Sequence, residues 1–231
     1  QFTFGNQVDH SPRWSPDGSQ IAFLSNRANE KQFQLYLLPF HGGEARVLTD
    51  LKGTFGSYEW SPDGSKFVCQ FRVTDPDVLE READEKKKKL GVVAHHITRL
   101  AYKYDGTGLL PKERWHIWTV DATSGEAAQI TDGPVYDEIS PTWSPDSQTI
   151  AIGRETGQII IRNIVELETN LLTEHLHPVR DVAWSPDGAQ LASAGGALDG
   201  QVLLWDAVAG GAPRVLDGHS SAVTSVAWSP D

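Results

Sequence analysis

Short runs of alternating apolar and polar residues recur along the chain, and each is closed by turn-forming residues. Gln20-Ile21-Ala22-Phe23-Leu24, Lys66-Phe67-Val68-Cys69, Thr149-Ile150-Ala151-Ile152 and Gln190-Leu191-Ala192-Ser193 read as strands of one kind. A more continuously apolar run follows each one: Gln34–Leu38, Trp115–Val120, Gln158–Ile161 and Val202–Trp205. Shorter runs come next, at Ala45–Thr49, Ala128–Thr131, Leu171–Thr173 and Arg214–Leu216. An alternating stretch also leads into each motif tryptophan, as in Val182-Ala183-Trp184.

The runs are punctuated by a repeat. Trp-Ser-Pro-Asp-Gly begins at Trp14, Trp60 and Trp184, Trp-Ser-Pro-Asp-Ser begins at Trp143, and the chain's last residues, Trp228–Asp231, open another copy. The tryptophans are spaced by 46, 83, 41 and 44 residues. Proline presets φ for a type I turn, Asp bonds nearby amides, and Gly supplies the positive φ that returns the chain to a strand. Each copy is therefore a β-hairpin, and two further strands complete its period. Four strands per ~40–45 residues make the blade of a β-propeller, whose sheets bury their faces only by stacking. The fold class is all-β: four-stranded antiparallel blades at roughly 10–50, 56–132, 139–174 and 178–217, and a partial blade at 218–231.

The 83-residue interval holds either one blade with an insertion or two blades. Asp105-Gly106 lies 42 residues after Asp63 and 41 before Asp146, where a degenerate hidden motif would fall. Residues 74–96, however, show no third or fourth strand. The favoured reading is one blade with an insertion at 74–112. The run from Leu79 to Lys89 is charge-dense and has good helix propensity. It reads as a solvated loop or helix face, and anion binding is the rival reading. The absence of Met and the ending inside a motif point to a fragment of a larger propeller, natural or engineered. Open blade edges would then expose unpaired strands and allow self-association.

Charge and motifs narrow the function. The 231 residues carry a net charge of −11, which disfavours nucleic acid as a partner. No apolar run is long enough for a membrane helix, so no membrane partner is expected and the location is taken as cytoplasmic. Cys69 is the single cysteine and reads as a small buried hydrophobe. No nucleophile elbow, HExxH, CxxC, phosphate loop or GxGxxG occurs, so no catalytic, metal or cofactor residue is assigned. Asp75 and Asp77 lie on an apparent loop, and the pairs His95-His96 and His175/His177 each supply too few ligands for a metal cage.

Two resemblances divide the chain. Pro12–Phe23, with Leu35-Tyr36 and Leu48-Thr49, resembles a TolB-type blade. Ile97–Gly108, continuing through Lys112–Trp118 to Gln129–Gly133, resembles the N-terminal propeller of acylaminoacyl-peptidase-like serine peptidases of the prolyl oligopeptidase family. That resemblance implies an insertion here. It also implies a propeller that admits only short peptides to a catalytic α/β-hydrolase domain outside this chain. From about residue 170 the sequence resembles WD repeats instead: Asp181–Gly188, Leu191–Ala194, Asp199-Gly200, Val202–Asp206 and Gly218-His219. The match implies a structural hydrogen-bond tetrad of His175, Ser193, Asp199 and Trp205, with Glu174 where the family has Gly.

The first expectation is a non-catalytic scaffold that binds a protein or peptide through its loops and central channel. The alternative is the substrate-gating propeller of an acylaminoacyl-peptidase-like serine peptidase. A TolB-like periplasmic partner protein ranks third.

Overall fold

The computed structural model describes residues 7–90, 103–104, 108–109, 112–196 and 200–230. Four four-stranded antiparallel sheets follow one another along the chain. Sheet one contains β1 (Asp9–Trp14), β2 (Gln20–Ser25), β3 (Gln34–Pro39) and β4 (Arg46–Val47). Sheet two begins with β5 (Gly53–Trp60) and β6 (Lys66–Val73). The chain then leaves it for α1 (Pro76–Ala83), α2 (Glu85–Lys89) and a two-stranded ribbon of β7 (Lys103–Tyr104) and β8 (Gly108–Leu109). It returns as β9 (His116–Asp121) and β10 (Ala127–Gln129), and β9 pairs directly with β6. Sheet three holds β11 (Glu138–Trp143), β12 (Thr149–Arg154), β13 (Ile159–Asn163) and β14 (Thr169–Leu172). Sheet four holds β15 (Val179–Trp184), β16 (Gln190–Gly195), β17 (Val202–Asp206) and β18 (Arg214–Leu216).

The repeated turn is a small hydrogen-bonded machine. In sheet one the Ser15 hydroxyl donates to Asp17 at 2.6 Å and accepts from the Gln20 amide at 2.9 Å. The Ser19 amide and hydroxyl both donate to the same carboxylate. Gly18 closes the turn at φ 69°. Ser61/Asp63, Ser144/Asp146 and Ser185/Asp187 repeat the pattern. In the third copy Ser147 takes the glycine position at φ 62°. The bonds from Ser15 and then from Ser19 favour the charged form and hold the Asp17 carboxyl down to about 2. Its folded pKa is depressed, so its contribution is present above the ordinary carboxylate value. That contribution is lost only as the pH falls toward 2. A carboxyl NMR titration is expected to show Asp17 near 2, and a midpoint near 4 would mean the turn does not hold it.

Stacking buries the sheet faces. Leu24, Leu35 and Leu37 of sheet one meet Trp60, Phe67 and Phe71 of sheet two. Val68 and Ile117 of sheet two meet Trp143, Ile150 and Ile152 of sheet three. Ala151, Ile159 and Ile161 of sheet three meet Val182, Leu191 and Trp205 of sheet four. The second and third strands of each sheet carry most of this core, because a neighbouring sheet covers each face. The short outer strands remain largely exposed.

The helical excursion contrasts with this core. Asp75 caps α1, Asp84 caps α2, and neither helix buries a residue. Lys87 pairs with Glu80, and Lys88 with Glu85. Caps and surface ion pairs, rather than packing, shape the lysine run, which lies on a solvated helix.

Candidate functional site

Each innermost strand is bulged just before its tryptophan. The register shifts between His10 and Arg13, Phe55 and Tyr58, Ile139 and Thr142, and Val179 and Asp181. Ser11 and Ser140 take positive φ, 55° and 47°, at two of the bulges. Such bulges re-aim side chains, and here they bring polar groups from successive sheets together. The Tyr58 hydroxyl donates to the Ser11 carbonyl, and the Ser140 hydroxyl donates to the Arg180 carbonyl at 2.8 Å. The Glu59 carboxyl lies near Thr142 and Trp143 and within the fields of Arg13 and Asp181. Asp181 in turn accepts from the Ser225 hydroxyl at 2.8 Å and the Val226 amide at 3.0 Å. Arg13, Glu59, Thr142 and Asp181 thus bring the innermost strands of all four sheets within electrostatic reach of one carboxyl group.

Glu59 is an exposed residue of β5, and the protein crowded near its carboxyl pushes the pKa up against the Arg13 charge that favours ionisation. A raised carboxyl pKa means that the folded state holds its proton longer than the unfolded chain. Stability from this group is therefore greatest below the ordinary value of 4.5 and falls as pH rises through the folded pKa. Glu59→Gln keeps an acceptor at this position and removes the charge. It is expected to raise Tm at pH 7 and leave it unchanged at pH 4. A Tm lowered at pH 7 would mean that the charge stabilises the fold.

The WD-like residues lie in sheet four and the segment leading into it. His175 Nε2 meets the Ser193 hydroxyl at 2.7 Å, and Trp205 Nε1 donates to that hydroxyl at 2.8 Å. All three residues are buried. Asp199 lies outside the described residues. Gly157, at φ 85°, packs so close to the His175 carbonyl that an added Cβ would lie 2.2 Å from it. Ser193→Ala is expected to cost about 1–3 kcal/mol, because it leaves both the imidazole and the indole without this partner. A denaturant midpoint shift of under 0.5 kcal/mol would contradict it.

A second buried network joins sheets two and three. The Glu138 carboxylate, 1% exposed, pairs with Arg154 at 3.1 Å and His116 at 2.7 Å. It also accepts from the Thr131 hydroxyl at 2.9 Å. No sequence motif pointed to it. A signal was present, however: Asp9 and Glu138 both lie five residues before a motif tryptophan, and Asp9 pairs with Arg27 as Glu138 does with Arg154. Among the described residues no three His, Cys, Asp or Glu side chains converge as a metal site. His95 and His96 lie outside the described residues. Burial pushes the Cys69 thiol up, as suits an inert core residue.

The crystal structure of TolB from Acinetobacter baumannii superposes with a TM-score of 0.57 at 20% sequence identity, over 91% of this chain and 43% of that one. The fold is that of a β-propeller. Each sheet is accordingly a blade, and the bulged strands are its axial strands. The WD domain, G-beta repeat family model matches residues 167–206 and 211–231. The uncharacterized peptidase YuxL of Bacillus subtilis is 33% identical over 147 residues, which is 64% of this chain and 22% of the relative. A chromatin assembly factor 1 subunit FAS2 homolog of Oryza sativa is 35% identical over 96 residues, 38% of this chain and 18% of the relative. The chain thus spans about a fifth of these two curated relatives. It combines similarity to a peptidase with a match to the WD-repeat model toward its C-terminus.

Proposed function

We propose that this propeller is a non-catalytic scaffold that binds a protein or peptide at its axial strands. The observation that carries this reading is that the axial strands are tied to one another by Tyr58 to Ser11 and Ser140 to Arg180 and carry Arg13, Glu59, Thr142 and Asp181, one charged or polar group from each blade, with Arg13 and Asp181 in the electrostatic field of Glu59. Rigid stacked sheets hold these groups, and fixed polar groups on a rigid frame confer binding specificity. The WD repeats and the chromatin assembly relative support a protein partner. The net charge of −11 argues against a phosphate backbone as ligand. His175, Ser193 and Trp205 serve as a structural hydrogen-bond network of the fourth blade rather than as a site. The test is a displayed peptide library selected on the protein, with an Arg13→Glu/Glu59→Lys double variant as counter-target. Selected peptides are expected to lose roughly tenfold or more in affinity on the variant, about 1.4 kcal/mol. Equal binding to both proteins would place recognition elsewhere.

The similarity to peptidase YuxL over 147 residues favours a second reading. In it, this propeller filters substrates for a hydrolase domain outside these residues. On both readings these 231 residues cleave no peptide themselves. Turnover of a chromogenic dipeptide substrate that is abolished by a serine-directed inhibitor would overturn both.

A further inference from the structure

The seam between the third and fourth blades holds a cleft of about 560 Å³ that opens to solvent. Ile161 and Trp184 give it an apolar side, and Asp146, Glu168 and Asp187 give it carboxylates. The same place at another seam shows what such a gap accepts. Ala22 and Ala151 each stand eight residues after their motif tryptophan. They pair with Leu37 and Ile161, which pair in turn with Arg46 and Asn170. Arg46 of the first blade and Asn170 of the third therefore hold one structural position.

Arg46 crosses the seam to the second blade. Its guanidinium donates to the Ala122 carbonyl at 3.0 Å and to the Thr123 carbonyl at 3.5 Å. The fourth blade repeats that receiving turn. Asp121 accepts from the Thr123 and Ser124 amides, and Asp206 accepts from the Val208 and Ala209 amides. Ala207 and Val208 are thus the counterparts of Ala122 and Thr123, and both line the cleft beside Asn170. Glu44 lies two residues before Arg46, and Glu168 lies two before Asn170. The third-to-fourth seam keeps the acid and the receiving turn but has a short amide where the first blade has a guanidinium.

We propose that this cleft takes an arginine side chain from a partner polypeptide, whose guanidinium meets the Ala207 and Val208 carbonyls as Arg46 meets those of Ala122 and Thr123. A planar guanidinium spans two acceptors, which a lysine ammonium does less well. The carboxylates of Asp146, Glu168 and Asp187 favour a cation, and the aliphatic stem of an arginine packs on apolar surface such as Trp184. The volume leaves room for the residues on either side of the arginine. Free arginine would bring its own carboxylate among three others and is disfavoured. Of the lining residues only Trp184 belongs to an axial strand, so the cleft stands or falls apart from the axial site.

Amide NMR titration of the full chain tests it, with acetyl-glycyl-arginyl-glycine amide as probe and the lysine and citrulline counterparts beside it. The arginine peptide is expected to give saturable shifts at Ala207, Val208 and Asn170. The citrulline peptide, which lacks the charge, is expected to bind about tenfold or more weaker. Asn170→Arg is expected to abolish the shifts, because its own guanidinium takes the cleft. Arg46→Asn is expected to open a second site, with new shifts at Ala122 and Thr123. The wild-type titration keeps the test decisive if either variant fails to fold. Saturable shifts confined to the axial strands, or no saturable shift at all, would overturn the proposal and leave the axial reading untouched. Equal binding of the citrulline or lysine peptide would overturn the choice of arginine. Free arginine binding as tightly as the peptide would overturn the choice of a polypeptide.

Discussion

Glu138→Ala is expected to lower stability by about 3–5 kcal/mol, among the largest effects of any single polar substitution here. The carboxylate is 1% exposed and is shared by Arg154, His116 and Thr131. Removing it leaves the partly buried Arg154 guanidinium without this counter-charge. The penalty comes from the stranded partners rather than from the net strength of the pair, because both charges lost hydration to form it. Glu138→Gln keeps the shape and one acceptor, so it is expected to cost less than Ala. Urea unfolding monitored by tryptophan fluorescence checks this. A shift under 1 kcal/mol for the alanine variant would mean that water replaces the carboxylate and that the seam between the second and third blades is wet.

Phe67→Ala is expected to cost about 3–5 kcal/mol by loss of apolar burial and creation of a cavity. Phe67 is fully buried and touches Trp60, with ring centroids 4.0 Å apart, and Tyr58 at 5.9 Å. It stands where the first blade meets the second. Loosening that contact is expected to release the first blade before the others, so its amides exchange earlier than those of the third. Val165→Ala serves as the surface control. Val165 is 67% exposed, and the substitution should stay within about 0.5 kcal/mol. A Phe67→Ala protein as stable as this control would mean that the first two blades are not packed as described.

Much of the architecture was legible in the sequence because the turn motif is local. Ser, Pro, Asp and Gly make their bonds within five residues, so the motif marks each hairpin without help from the rest of the fold. The second and third strands were legible for the same reason: Gln34–Leu38 is β3 within one residue. The outer strands were less so. Ala45–Thr49 reads as a five-residue strand, but β4 pairs only at Arg46 and Val47, because Leu48 and Thr49 turn inward to bond Leu35 and Gln34. Strand β6 runs to Val73, past the apparent end at Cys69, because β5 beside it is itself eight residues long.

The site was the harder part. Glu59 and Asp181 are ordinary acidic residues in sequence. They meet only because a bulge turns each axial strand and stacking brings four such strands together. Their separation along the chain is long, and no spacing rule reaches across it. Ser193 bonds both His175 and Trp205, which the WD-like pattern sets at fixed distances from it along the chain. Glu138 was not legible, because its partners lie on three different strands or loops of two blades.

The central claim is that ligands are recognised at the axial strands. The most direct measurement is hydrogen–deuterium exchange with and without a peptide selected on the wild-type protein. Added protection is expected over residues 8–13, 55–59, 139–142 and 179–182, with none at the outer strands β4, β14 and β18. Protection confined to those outer strands, or to the helices α1 and α2, would contradict the account.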